Sequence, residues 1–334
     1  MTGGSDYDVR ARLALGQTLQ WQKSPRFLSS AGNLVPSRLA SPFGLVRERD
    51  VTGVVDAAGY AYGDPFGAGP AVREARFSRS WSKRGTPRVM LPQAFGPFED
   101  QRVRAATREL LNSSQLVFVR DQLSANYVSN LNVSTTIQLS PDFTIGLAAH
   151  ETERAAGDSY GVVVPNAKMY STGLISEAEY ASLLRRALDA LVSQGLLPVV
   201  LVHESGDLPF ARSLVAGTNV SLVWDPDPRG AKSKIGKADF VISSRFHALV
   251  GALSQGVPTI ALGWSHKYKE LLRDFGVPDW CGDVNTDVAS AISEVLNDSV
   301  GLKRLIESGR SLLSQNDAMW AETRQVLGLP STPV

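Results

Sequence analysis

Cysteine is nearly missing from this chain of 334 residues. Cys281 is the only one, which rules out an internal disulfide and any cysteine-based zinc cluster. A lone thiol fits a reducing cytoplasm. Long apolar runs are missing too. The longest, Leu196 to Val202, has the length of a strand, well short of the ~18–20 residues a bilayer-spanning helix needs. The opening MTGGSDYDVRARLALGQ lacks the basic-then-apolar layout of a secretory signal. The expectation is a soluble cytoplasmic protein, with adsorption to the inner face of a membrane left open. Nor is there a charge excess. Lys and Arg total 34 against 33 for Asp and Glu, so bulk electrostatics gives no reason to expect nucleic acid. The sequence also lacks GxxxxGK[ST], GxGxxG after a strand, HExxH and GxSxG. Phosphate-cleaving NTPase, standard dinucleotide-binding and α/β-hydrolase readings therefore lose their required parts.

What is present is an ordinary globular composition, 43% hydrophobic and 20% charged, so the chain is not largely disordered. Its length exceeds what one core usually serves and favours two domains. The second half alternates in period. Apolar runs at 160–164, 197–202, 221–224, 239–242 and 258–262 read as strands of a sheet covered on both faces. Between them, Ser176-Glu-Ala-Glu179 is a capping-box start for a helix with Tyr180, Leu183, Leu184, Ala187, Leu188, Leu191 and Val192 on one face, stopped at Gly195. Further helices are expected over 231–236, 246–255, 288–296 and beyond 302. Strict alternation implies right-handed βαβ crossovers and a doubly wound α/β fold.

The first half is less regular. Residues 20–50 read as loops, 51–55 as a strand, 62–70 as a glycine-rich loop and 88–91 as a short strand running into a fixed turn over 92–98. A helix over 101–111 and a strand over 116–119 follow. The architecture expected is two α/β domains facing across a cleft. One covers residues 1–150 with an irregular start, the other 151–334, with the last helix packing back on the first domain.

Chemistry concentrates where strands end. The run Ala238-Asp-Phe-Val-Ile ends at Ser243-Ser244, and a helix begins at once with Arg245, Phe246 and His247 in its first turn. Ligands of open α/β sheets bind at this end of the strands, where unpaired helix amides meet anions. Arg245 adds a bidentate cation and His247 a group that exchanges protons near neutral pH. His266-Lys267-Tyr268-Lys269 follows the next strand, so Lys267 should emerge at the same sheet end. Arg120-Asp121 with Ser124 ends a first-half strand, and Gln93 sits on the proline-rich segment, able to donate to a hydroxyl or phosphate or to tie the loop together. His203, Glu204 and Asp207 make a weak metal site without matching ligands, and Asp225 and Asp227 are better explained as turn residues.

Taken in order, these segments resemble the polysaccharide pyruvyl transferase family. Ser244-Arg-Phe-His247, then Gly256-Val-Pro258 and Lys267, resembles its S-R-[LF]-H…GVP…K signature. Pro92-Gln-x-x-Gly-Pro-Phe98, Arg120-Asp-x-x-Ser124 and Asp56-Ala-Ala-Gly-Tyr60 with Gly63-Asp64 resemble its other elements. The resemblance implies two Rossmann-like domains of the glycosyltransferase-B type. It also implies transfer of pyruvate from phosphoenolpyruvate (PEP), a co-substrate, onto a sugar as a cyclic ketal, with no metal and no further cofactor. The acceptor would be a cell-surface polysaccharide or its lipid-linked or nucleotide-linked precursor. By motif position Arg120, Ser244, Arg245, Phe246, His247 and Lys267 fall on donor and catalytic residues, with His247 the candidate general acid/base. One departure is the start of the chain, where the family's GN-x-GD loop is degenerate. The resemblance then implies an acceptor-side carboxylate from Asp6, Asp8 or Asp64, with Asp64 preferred because its loop matches a family element, although it reads equally as a turn residue. The competing readings are a nucleotide-sugar glycosyltransferase or epimerase of the same fold, and a non-catalytic sugar-binding protein.

Overall fold

The structure, a computed structural model, describes residues 50–151, 159–263 and 266–330. Asp6, Asp8, nearly all of the irregular stretch at 20–50 and the side chain of His266 lie outside the described residues. Among the described residues two compact units emerge, one built from residues 141–317 and the other from residues 50–140 together with 318–330.

The first unit in sequence carries β1 (Val54–Asp56), β2 (Tyr60–Tyr62), α1 (Ala68–Lys83), β3 (Arg88–Phe95), α2 (Gln101–Asn112), β4 (Leu116–Val119), α3 (Gln122–Ser129) and β5 (Thr136–Leu139). Its sheet runs β1-β3-β4-β5, with β2 also pairing to β3, and every pair is parallel. β3 is the spine, buried along its whole length. It also corrects the sequence reading. The segment after Leu91 is not yet a turn, because the strand continues through Pro92 to Phe95. Proline lacks the ladder's N–H, and the chain tolerates it because the β3–β4 register shifts between Met90 and Gln93. The turn proper is Gly96-Pro97, a cis peptide with Gly96 at φ 82°. A Cβ on Gly96 would stand 2.6 Å from the Tyr127 ring, and one on Gly63 2.4 Å from the Gly96 carbonyl oxygen, so both glycines are required by close approach. The glycine-rich loop is likewise shorter than its composition suggests, since α1 already begins at Ala68.

The second unit holds β6 (Tyr160–Val164), α4 (Lys168–Ser171), α5 (Glu177–Ser193), β7 (Leu197–Val202), α6 (Leu208–Val215), β8 (Ser221–Trp224), α7 (Pro228–Gly236), β9 (Phe240–Ser243), α8 (Phe246–Leu253), β10 (Thr259–Leu262), α9 (His266–Asp274), β11 (Cys281–Gly282) and α10 (Val288–Asn297). The strands form one parallel sheet, β11-β10-β9-β6-β7-β8. Both capping-box bonds of Ser176 and Glu179 are made, and Gly195 follows α5 at φ 76°. Val163, Leu183, Leu191, Val200, Ile242, Leu249 and Leu262 are all fully buried in one cluster, and burying each contributes about 1.5–3 kcal/mol. Gly161 lets α5 sit close to β6, since a Cβ there would meet the Leu191 side chain at 2.5 Å. The last helix, α11 (Ser299–Val326), gives its first part to this unit and its end to the other.

Candidate active site

At the carboxyl ends of β6, β7 and β9, the second unit gathers most of the residues singled out in the sequence. Ser244 is fully buried and acts as the hub. Its carbonyl accepts from Asn166 Nδ2 and from the Tyr268 hydroxyl, both at 2.8 Å, and its Oγ accepts from the Tyr180 hydroxyl at 2.9 Å. Burial pushes Tyr180 up to about 12, so it stays a neutral donor. These bonds tie the end of β9 to β6, α5 and α9, and so fix the direction in which α8 leaves the sheet. Ser244 itself is thereby committed to structure.

Arg245 is the N-cap of α8, 8% exposed, and its guanidinium is engaged by the protein itself. Nε and Nη2 donate to the two oxygens of Asp207 at 2.7 and 2.6 Å, a bidentate fork, and Nη1 lies 2.7 Å from Glu204 Oε2. Asp207 is fully buried, whereas the Glu204 side chain is 53% exposed. Burial alone would lower the Arg245 pKa; the Asp207 and Glu204 carboxylates outweigh it and raise the pKa. The sequence weighs His203, Glu204 and Asp207 only as a weak metal site. The structure makes the two carboxylates partners of Arg245. Among the described residues no cluster of His, Cys, Asp and Glu is arranged to hold a metal ion.

An arginine at the N-cap cannot accept from the helix amides, and no side chain caps α8. The first-turn amides therefore face the end of the sheet with the positive pole of the helix behind them. His247 stands in that turn, 40% exposed, with Nε2 4.0 Å from Oδ2 of Asp142, whose side chain is almost wholly buried. The other oxygen of Asp142 accepts from the Thr144 amide at 2.9 Å and its hydroxyl at 2.6 Å, which holds the carboxylate in place. The ring of Phe246 packs edge-on to His247 and to Tyr268, and Lys267 Nζ lies 5.2 Å from its centroid. His203 joins the cluster as a neutral base: burial, then the charges of His247 and Arg245, push it down to about 3. Asp142 could not be found from the sequence, because it follows Pro141 in a connection with no motif and meets His247 only through the fold.

Gln93, Arg120 and Asp64 belong to the other unit. Gln93 and Arg120 are neighbours on β3 and at the end of β4, where the Arg120 amide donates to the Gln93 carbonyl at 3.1 Å. The side chain of Gln93 is fully buried, and neither its Oε1 nor its Nε2 has a hydrogen-bond partner. Asp121 caps α3 by accepting from the Ser124 amide at 2.7 Å, and Ser124 Oγ accepts from the Phe95 amide at 3.0 Å. These bonds join the two first-half motifs. The carboxylate of Asp64 accepts from the amides of Glu99 at 2.7 Å and Asp100 at 3.2 Å, closing the loop ahead of α2. Asp56 is buried beneath this loop in a network with Arg88 and the Tyr62 hydroxyl, the latter at 2.7 Å.

Apart from Lys267 and Tyr268, which lie just past its end, both groups of side chains fall within residues 54–266, the span matched by the sequence pattern of the polysaccharide pyruvyl transferases. The chain belongs to the polysaccharide pyruvyl transferase family. Among curated proteins, the amylovoran biosynthesis protein AmsJ of Erwinia amylovora is 19% identical over 241 residues, 63% of this chain and 57% of the relative. The chain thus spans less than two thirds of that relative's length. Among solved structures, the UDP-GlcNAc 2-epimerase from Neisseria meningitidis bound to UDP-GlcNAc aligns with a TM-score of 0.58 at 10% identity, over 96% of this chain and 88% of the epimerase. The spinosyn rhamnosyltransferase SpnG complexed with spinosyn aglycone aligns with a TM-score of 0.53 at 13% identity, over 89% and 78%. At such identities the likeness is one of fold, and it identifies the two units as Rossmann-like domains of the glycosyltransferase-B type. No helix of this pyruvyl transferase family member, among the described residues, is long and apolar enough to cross a membrane.

Proposed function

We propose that the protein transfers pyruvate from PEP to two hydroxyls of a saccharide acceptor, a polysaccharide or its lipid-linked precursor on the cytoplasmic face of the membrane, forming a cyclic ketal. The observation that carries the reading is the uncapped start of α8, with His247 in its first turn and the Lys267 ammonium over the neighbouring Phe246 ring. PEP carries about three negative charges near neutral pH, and helix amides with a cation beside them favour such a group. Asp207 fixes Arg245, whose Nη1 is held by the exposed Glu204 carboxylate, a contact the donor's carboxylate can replace. Arg120, the third cation, is assigned to the donor by its motif. Gln93 is the group assigned to the acceptor. The Asp64 carboxylate serves there by holding the loop, through the two amides it already accepts.

In this mechanism the His247 imidazolium protonates C3 of PEP, and C2 gains oxocarbenium character. One sugar hydroxyl adds to C2, returning its proton to the imidazole. The C2–O bond to phosphorus's oxygen then breaks and phosphate leaves, its charge offset by the α8 amides and Lys267. The second hydroxyl closes the ketal, and its proton departs with phosphate. Asp142 Oδ2, 4.0 Å from Nε2, places a buried carboxylate beside the ring, where it can stabilise the positive charge the imidazole carries in this cycle. Calorimetric titration tests the donor. PEP should bind the wild-type chain, UDP-sugars should not, and His247→Ala should bind PEP yet give no turnover while melting at the wild-type temperature. Binding of a UDP-sugar alone would replace this reading with a nucleotide-sugar enzyme, and turnover by folded His247→Ala would remove the histidine's role.

A further inference from the structure

A net charge of +1 hides a strongly basic region. Over residues 68–112 Lys and Arg outnumber Asp and Glu by nine to four, so the rest of the chain is net acidic. The excess is displayed on two packed helices, α1 and α2. The outer face of α1 exposes Val72, Arg73, Arg76, Phe77, Arg79 and Lys83. Its opposite face buries Ala71, Ala75 and Ser78. On α2, Arg102, Arg104 and Arg108 are exposed. The acidic side chains on these helices are already engaged. Glu109 pairs with Arg79 at 2.7 Å, and Glu74 with Arg73 at 3.3 Å and with buried Arg88 at 3.6 Å. Large apolar side chains are interleaved with the cations: Val72 is 52% exposed, Phe77 42%, and Phe66, just ahead of α1, 43%. Neither a purely solvated face nor a site for a soluble polyanion calls for exposed Phe and Val among arginines. A helix lying in the headgroup plane of an anionic bilayer does, with cations on the phosphates and apolar side chains inserted between lipids.

We propose that the α1–α2 face docks on anionic phospholipid, holding the protein at a membrane surface. This surface does not depend on the donor chemistry, and its test needs no activity measurement. The full chain is sedimented with vesicles of phosphatidylcholine alone and of phosphatidylcholine mixed with phosphatidylglycerol. Partitioning is expected to the mixed vesicles only, and to weaken as salt rises. Each Lys or Arg near such a surface is worth about fivefold in partitioning, so Arg76→Gln with Lys83→Gln should lower it by about twenty-five-fold. Phe77→Ser should lower it severalfold. All these side chains are exposed, so the variants should melt at the wild-type temperature, and the melt is the check on folding. Absence of binding to the mixed vesicles, or wild-type partitioning by the double variant, overturns the proposal. So does full retention by Phe77→Ser together with equal binding to soluble heparin, which would make the face a polyanion site.

Discussion

Asp207→Ala is the sharpest probe of how the site is built. In the wild type its carboxylate is fully buried and accepts from Arg245 Nε at 2.7 Å, Arg245 Nη2 at 2.6 Å and the Ala167 amide at 2.9 Å. Removing one partner of a buried pair costs roughly 3–5 kcal/mol, because the charge left behind is uncompensated. Glu204 remains on Nη1, which places the loss near the lower end, at about 3 kcal/mol. For a unit the size of residues 141–317, 1 kcal/mol moves the melting temperature by about 2–4 °C, so the variant should melt about 6–12 °C lower. Urea unfolding followed by tryptophan fluorescence, with a parallel thermal melt, measures both numbers. Replacing the whole pair, Asp207→Leu with Arg245→Met, should restore most of the stability, because no charge is then stranded. A loss below about 1 kcal/mol in the single variant, or a double variant no better than the single, would refute the claim that this pair anchors the N-terminus of α8.

Two further predictions concern the histidines. Asp142→Asn keeps an acceptor for Thr144 but removes the charge facing His247. If the proposed reaction is right, it should lower kcat by about 10–100-fold with little change in the KM for PEP and an unchanged melt; an unaltered kcat would show that Asp142 serves only the backbone. His203 has a folded pKa of about 3 against 6.5 when free, so the unfolded chain binds the extra proton between these values. Its contribution to stability is complete above about pH 6.5 and falls as pH drops toward 3, by up to about 1.4 kcal/mol per pH unit. Urea midpoints between pH 7 and 4.5 should fall more steeply in wild type than in His203→Phe, and parallel slopes would sink the assignment.

The second unit was legible in sequence because its strands are short continuous apolar runs with glycine and capping residues between them. The strands at 160–164, 197–202 and 221–224 and the Ser176 cap follow from that pattern. Pro92 misled because a rule about ladder amides has no view of the register shift beside it. Helices α3, α6 and α9, of eight or nine residues, are too short for an apolar period to repeat, whereas α8, equally short, shows itself as a nearly continuous apolar run directly after a strand. At the site, the motifs located Arg245, His247 and Lys267 but not their partners. Asp207 lies 38 residues before Arg245, and Asp142 is more than a hundred before His247. Pairings at those separations are made by the topology of the sheet, and no local spacing encodes them. The near-zero total charge averages away the basic face, which shows in the sequence only as a basic, amphipathic stretch ahead of Arg88.

Helix α11 sets the order in which the protein can be completed during synthesis. Its early residues Leu305 and Asn316 are buried, with Asn316 Nδ2 donating to the Asp142 carbonyl at 3.1 Å. Its later residues Met319, Trp320 and Thr323 are buried too, Gln138 donates to Glu322 at 2.6 Å, and Leu327 just beyond packs 3.0 Å from where a Cβ on Gly53 would stand. Residues 50–140 therefore leave the ribosome long before the segment that finishes their unit. At about 5–20 residues per second the wait is roughly 9–36 s, during which apolar surface meant for α11 is bare. The protein made first is the last to close, and severing the chain after Ser140 would leave that half without the helix end it folds around.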